Sequence, residues 1–199
     1  MFKPFFLAAM IVAAPVSATT LDEVAASLKA TTTMTASFAQ TAADGTVARG
    51  QLTLSRPGKI RFQYDKAKLL IVADGKQLYF IDYEVGQVSQ WPVRSTPLGI
   101  LLDGQADLAR FAKVVGSEGS GVLVEARDPK HPDYGTITLN FVRDPAAPAG
   151  LSLIGWIALD AQNNRTEVRL SGTKYNVPVD AANFKFRDPR PKRTPGKTY

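Results

Sequence analysis

The 199-residue chain contains no cysteine. That absence removes a disulfide framework, a thiolate metal site and a cysteine nucleophile together. Histidine is nearly absent as well: His131 stands alone, inside Asp128-Pro129-Lys130-His131-Pro132-Asp133. A loop closed by two prolines offers no recognisable ligand spacing, so no metal and no cofactor is expected. No Gly-x-Ser-x-Gly elbow is present to seat a serine nucleophile beside a base. Gly116-Ser117-Glu118-Gly119-Ser120-Gly121 also fails the Gly-x-Gly-x-x-Gly pattern and reads as a hairpin loop. The remaining carboxylates are scattered, and Asn164-Arg165-Thr166, though a glycosylation sequon in form, reads as part of a turn. An enzyme is not expected.

Long apolar runs are missing too. The longest, residues 5–14, follows Lys3 and precedes Val16-Ser17-Ala18. It falls short of the roughly 20 residues that cross a bilayer and has the three-part form of a secretory signal. We expect a signal peptide over residues 1–18, cleaved after Ala18, and a soluble exported chain. The net charge of +6 is concentrated at the other end, where Arg187, Arg190, Lys192, Arg193 and Lys197 face only Asp188. The body between is close to neutral. No Lys/Arg stripe interleaves with aromatics there, so nucleic acid is not an expected partner. Residues 187–199, with Pro189, Pro191, Pro195 and Gly196, read as a basic, extended tail.

What is present is mostly strand. Met34, Ala36 and Phe38 alternate with polar or small residues, as do Leu52/Leu54 and Ile60/Phe62/Tyr64. Arg56-Pro57-Gly58 and Asp74-Gly75 punctuate consecutive hairpins. Further strands are expected over residues 87–92, 122–126, 136–142, 151–159 and 166–170. Two helical stretches interrupt them. Thr20-Leu21-Asp22-Glu23 is a capping box opening a helix to about Lys29, with Leu21, Val24 and Leu28 on one side. Pro97-Leu98-Gly99-Ile100-Leu101-Leu102 begins with a proline suited to a helix start, and Leu108 and Phe111 continue the helical spacing. About ten strands with helices at two places make a mainly β protein, a strongly curved antiparallel sheet with helices on one side.

Residues 50–82, with their Arg-Pro turn, and the closing Val179-Asp180-Ala181-Ala182-Asn183-Phe184-Lys185-Phe186 closely resemble the outer-membrane lipoprotein carrier family (LolA). The resemblance runs from the first helix to Phe186 and implies one carrier domain over residues 19–186. It implies an open, incomplete β-barrel whose concave face holds acyl chains beneath a helical lid. Met34, Phe38, Leu52, Leu54, Ile60, Phe62 and Ile71 are then cavity candidates, and Leu21, Val24, Leu28, Pro97, Leu98, Ile100, Leu101 and Leu102 lid candidates. By pattern alone the same positions read as an ordinary sheet core, and Leu78, Phe80 and Trp91 read as facing either way. The arginine of the family's Arg-Pro turn latches the lid; Arg56 matches it, whereas the pattern alone also allows an arginine reaching into water.

The implied function is a periplasmic chaperone, monomeric and free of cofactors. It would take acylated lipoproteins from an inner-membrane releasing transporter to the outer membrane, or to an acceptor there. The family's membrane-anchored relative with the same fold needs a cysteine after its signal, which this chain lacks, so the soluble carrier is favoured. A lipid- or lipoprotein-sensing regulatory module of the same fold is the alternative; such sensors carry an extra domain for which this chain has little room. Roughly 45 acyl methylenes at ~0.8 kcal/mol each would cost on the order of 35 kcal/mol to expose to water. Such a cargo needs a covered route.

Overall fold

The computed structural model describes residues 21–96, 98–102 and 108–190, and of Ile100 the backbone only. The expected signal peptide, the N-cap Thr20, Pro97, the Ile100 side chain and tail residues 191–199 lie outside the described residues.

The first helix, α1 (Leu21–Ala30), ends where the β-branched Thr31, Thr32 and Thr33 begin. A six-stranded meander follows: β1 (Thr33–Thr41), β2 (Val47–Ser55), β3 (Lys59–Tyr64), β4 (Leu69–Asp74), β5 (Gln77–Asp82) and β6 (Gln87–Pro92). A short 3-10 turn at Val93–Ser95 leads to helix α2 (Leu98–Leu102). The second meander comprises β7 (Ala112–Glu118), β8 (Gly121–Ala126), β9 (Thr136–Arg143), β10 (Leu151–Leu159) and β11 (Arg165–Tyr175). One antiparallel sheet of eleven strands results, in the order β6-β5-β4-β3-β2-β1-β11-β10-β9-β8-β7. The meanders meet where β1 pairs with β11, and β6 and β7 end the sheet without closing it.

Three local expectations change. Of the stretch expected to continue helically through Leu108 and Phe111, the described residues from Leu108 form a 3-10 turn, Leu108–Arg110, and strand begins at Ala112. The Gly116 to Gly121 stretch is mostly not a loop: β7 runs through Glu118 and pairs with β8. A register shift between Val114 and Gly116 breaks its alternation, which is why the pattern concealed an eleventh strand. β11 also continues past the expected Leu170, to Tyr175.

The sheet is strongly curved. Flat, the four strand spacings from β3 to β10 would separate them by about 19 Å at ~4.8 Å each. Yet the rings of Phe62 on β3 and Trp156 on β10 meet edge to face with centroids 6.1 Å apart. Phe38 joins them, 5.3 Å from Phe62 and 5.1 Å from Tyr64. The outer side of one flank is covered by the closing segment instead. Val179, Phe184 and Phe186 pack over Leu70, Val72 and Ile81, and Arg61 Nη1 donates to the carbonyls of Asn183 and Lys185 at 3.1 and 3.3 Å.

Candidate functional site: a plugged apolar concavity and its arginine

Strand register decides which side chains share the inner face. Met34 lies opposite Leu54, Ala36 opposite Leu52, Leu52 opposite Phe62, and Phe62 opposite Ile71. All seven cavity candidates therefore point into the concavity; Met34, Phe38, Leu52, Leu54, Ile60 and Phe62 are buried there and Ile71 packs against them partly exposed. The orientation of the three residues left open is now fixed. Phe80 pairs with Ile71, Leu78 with Ala73 and Trp91 with Leu78, so all three face inward. The other half of the lining, Val122, Val124, Ile137, Leu139, Phe141 and Trp156, was not singled out from sequence. Its alternation is equally clean at Val122/Val124 and Ile137/Leu139/Phe141, but a register shift between Leu153 and Gly155 breaks it before Trp156, and no local pattern tells which faces of distant strands meet.

Helices fill the concavity. Val24 and Leu28 of α1, and Leu101 and Leu102 of α2, are buried in the same cluster as the strand residues, with Leu21 and Leu98 at its margin. α1 is tied at several points. Ser27 Oγ donates to Leu151 O at 2.9 Å, and Arg143 Nη2 stands 3.6 Å from Glu23 Oε2. Asn176 Nδ2 donates to Ala30 O at 3.0 Å, while its Oδ1 accepts from Thr32 N at 2.9 Å.

Arg56 joins the two helices. Its Nε and Nη2 both donate to Leu101 O, at 3.1 and 3.0 Å, and its Nη1 donates to Thr31 O. These are carbonyls at the C-terminal ends of α2 and α1, where helices leave acceptors without internal partners and carry partial negative charge. The adjacent turn adds a further bond, from Gly58 N to Leu102 O at 3.1 Å. Burial lowers the guanidinium to about 10 from its ordinary value, with the nearby Tyr175 hydroxyl opposing that shift. It nevertheless stays charged at neutral pH. Glycine is required at the turn: Gly58 has φ +76°, and a Cβ there would stand 2.8 Å from Gly75 Cα.

His131 stacks on Tyr134 with ring centroids 4.5 Å apart, away from the concavity. Among the described residues no three His, Cys, Asp or Glu side chains gather as a metal site requires. No described helix is long and apolar enough to cross a membrane.

The architecture is that of a half-barrel closed by its own helices rather than by a last pair of strands. A family model described as "Outer membrane lipoprotein carrier protein LolA" matches residues 29–187, and the chain belongs to that family. An outer-membrane lipoprotein carrier protein of Chromohalobacter salexigens is 30% identical over 84% of this chain and 82% of its own. One from Chromobacterium violaceum is 29% identical over 94% of both. A solved LolA superfamily protein from Nitrosomonas europaea aligns with 84% of this chain and 99% of that one, at 11% identity and a TM-score of 0.42.

Proposed function

We propose that the protein is a periplasmic chaperone for lipoproteins, which holds their acyl chains against the concave face now occupied by α1 and α2. The observation that carries this reading is Arg56, a half-buried guanidinium bonded to the carbonyl ends of both helices that cover the apolar interior. A core meant to stay closed would be better served by apolar contact than by a desolvated cation spanning two short helices. Helix and cargo would compete for one surface, so the lid keeps the apolar face from water when no acyl chain does. The family relationship supports the same conclusion.

The carrier would act as a monomer, receiving acylated lipoproteins from an inner-membrane releasing transporter and yielding them to the outer membrane or an acceptor there. Differences in affinity along the route suffice; no bond is made or broken. The test is to incubate the purified mature protein with spheroplasts producing labelled lipoproteins. Labelled lipoprotein should appear in the soluble fraction bound to it. No release, or equal release by an unrelated β protein, would overturn the proposal.

A further inference from the structure

One part of the inner face is exposed beyond the described part of the lid. Phe80 and Trp91 are 37% and 48% exposed, whereas their pairing partners Ile71 and Leu78 pack against the buried core. The two rings thus continue the apolar lining outward to β6, the last strand on that side of the sheet. They also stand beside the root of α2. The turn at Val93–Ser95 follows β6 directly, and Gly99 of α2 packs so tightly on it that a Cβ would come within 2.8 Å of Val93 O.

We infer that Phe80 and Trp91 form an entry strip, a subsite that takes the first acyl chain of the cargo while α2 is still closed. This inference rests on the carrier reading above. An apolar strip in contact with water at one end and with a dry interior at the other gives a hydrocarbon chain a continuous path under the lid. Two flat aromatic faces suit a ligand that offers only methylenes: Phe80 has no polar group, and the half-exposed Trp91 can leave its indole N–H to water. The occupant is a lone acyl chain rather than a bilayer, because the strip lies on the inner, concave side of the sheet and is continuous with the buried apolar lining through Ile71 and Leu78.

Both rings can be tested directly. The probe is a synthetic triacylated lipopeptide, used unlabelled, labelled with a fluorophore on its peptide, or carrying dibrominated acyl chains. The difference in emission between the unaltered protein and Trp91→Phe isolates Trp91. That emission should shift to the blue with the unlabelled probe and be quenched by the brominated chains. The doubly substituted Phe80→Ser/Trp91→Ser protein should bind the labelled probe with an association rate about ten-fold lower, its dissociation rate and melting temperature remaining near those of the unaltered protein. An unchanged association rate, or Trp91 emission untouched by brominated chains, would overturn the entry strip. Quenching by vesicles of dibrominated phosphatidylglycerol without any lipopeptide would also overturn it, in favour of bilayer docking. Failure of the unaltered protein to bind the lipopeptide at all would instead overturn the carrier reading.

Discussion

Arg56 sets a cost against a gain in one side chain. Its burial disfavours the charged form enough to lower its pKa to about 10, while charge-assisted bonds of ~1.5–3 kcal/mol each hold it to two helix ends. A base lowered in the folded state is penalised while protonated, and that penalty lifts only as the pH rises above about 10. Transfer should therefore not vary with this group between pH 5 and 8. Arg56→Leu should fold, judged by an unchanged far-ultraviolet spectrum, and load cargo but fail to pass it on. The physical reason is reciprocity: closing of the lid competes with cargo, so a weaker closed state holds cargo longer. Arg56→Lys should fall between the two, because an ammonium lacks the planar fork that reaches both carbonyls. Normal transfer by the leucine variant in a lipoprotein handover assay would remove the latch role.

The two helices differ in how they are held. α1 is bound through Ser27, Glu23 and Asn176 to three separate parts of the second meander and the segment after it. α2 is five residues long, too short to be stable alone, and is held at its C-terminal end by Arg56 and Gly58. α2 is accordingly the element expected to move. Gly99→Ala tests this. In an open helix the change would favour helix by about 1 kcal/mol, but here the new methyl meets Val93 O at 2.8 Å. The clash should win and lift α2 from its seat, raising hydrogen exchange in residues 98–102 while α1 stays protected. Slower exchange in α2 would mean that the contact relaxes and propensity decides.

For the molecule as a whole, curvature does what composition could not. A near-neutral body with its charges on the surface should have a stability that changes little through mild pH and falls in acid. Asp160 is lowered by bonds from Asn164, Glu167 by Arg169 and Arg165, and Asp44 by the Thr46 amide. A carboxylate lowered in the folded state contributes stability that is complete above its unfolded pKa of about 4 and disappears as the pH falls through the lower folded value. Thermal melts should thus be level from pH 8 to 5 and decline below about pH 4. A melting temperature that drops already between pH 8 and 6 would contradict this.

How much was legible beforehand follows from the same physics. Alternation at Leu52/Leu54 and Ile60/Phe62, the turn at Asp74-Gly75 and the arrest of α1 at three threonines are local, and each appeared where the pattern put it. β7 was concealed because one register shift at Val114 destroys the period that marks a strand. Leu78, Phe80 and Trp91 had no legible orientation, since a strand with apolar residues on both faces does not say which side is inside. Taken by itself, the sequence determined a β-rich chain without cysteine, its strand faces, its tight turns and an Arg-Pro-Gly turn at Arg56. Only the tertiary structure decided that the sheet bends far enough for Phe62 to touch Trp156, that the helices lie inside that bend, and that Arg56 spans both their ends. Those are contacts between residues 25 to 94 positions apart, and their geometry is set by the cumulative twist of eleven strands rather than by any local run of residues.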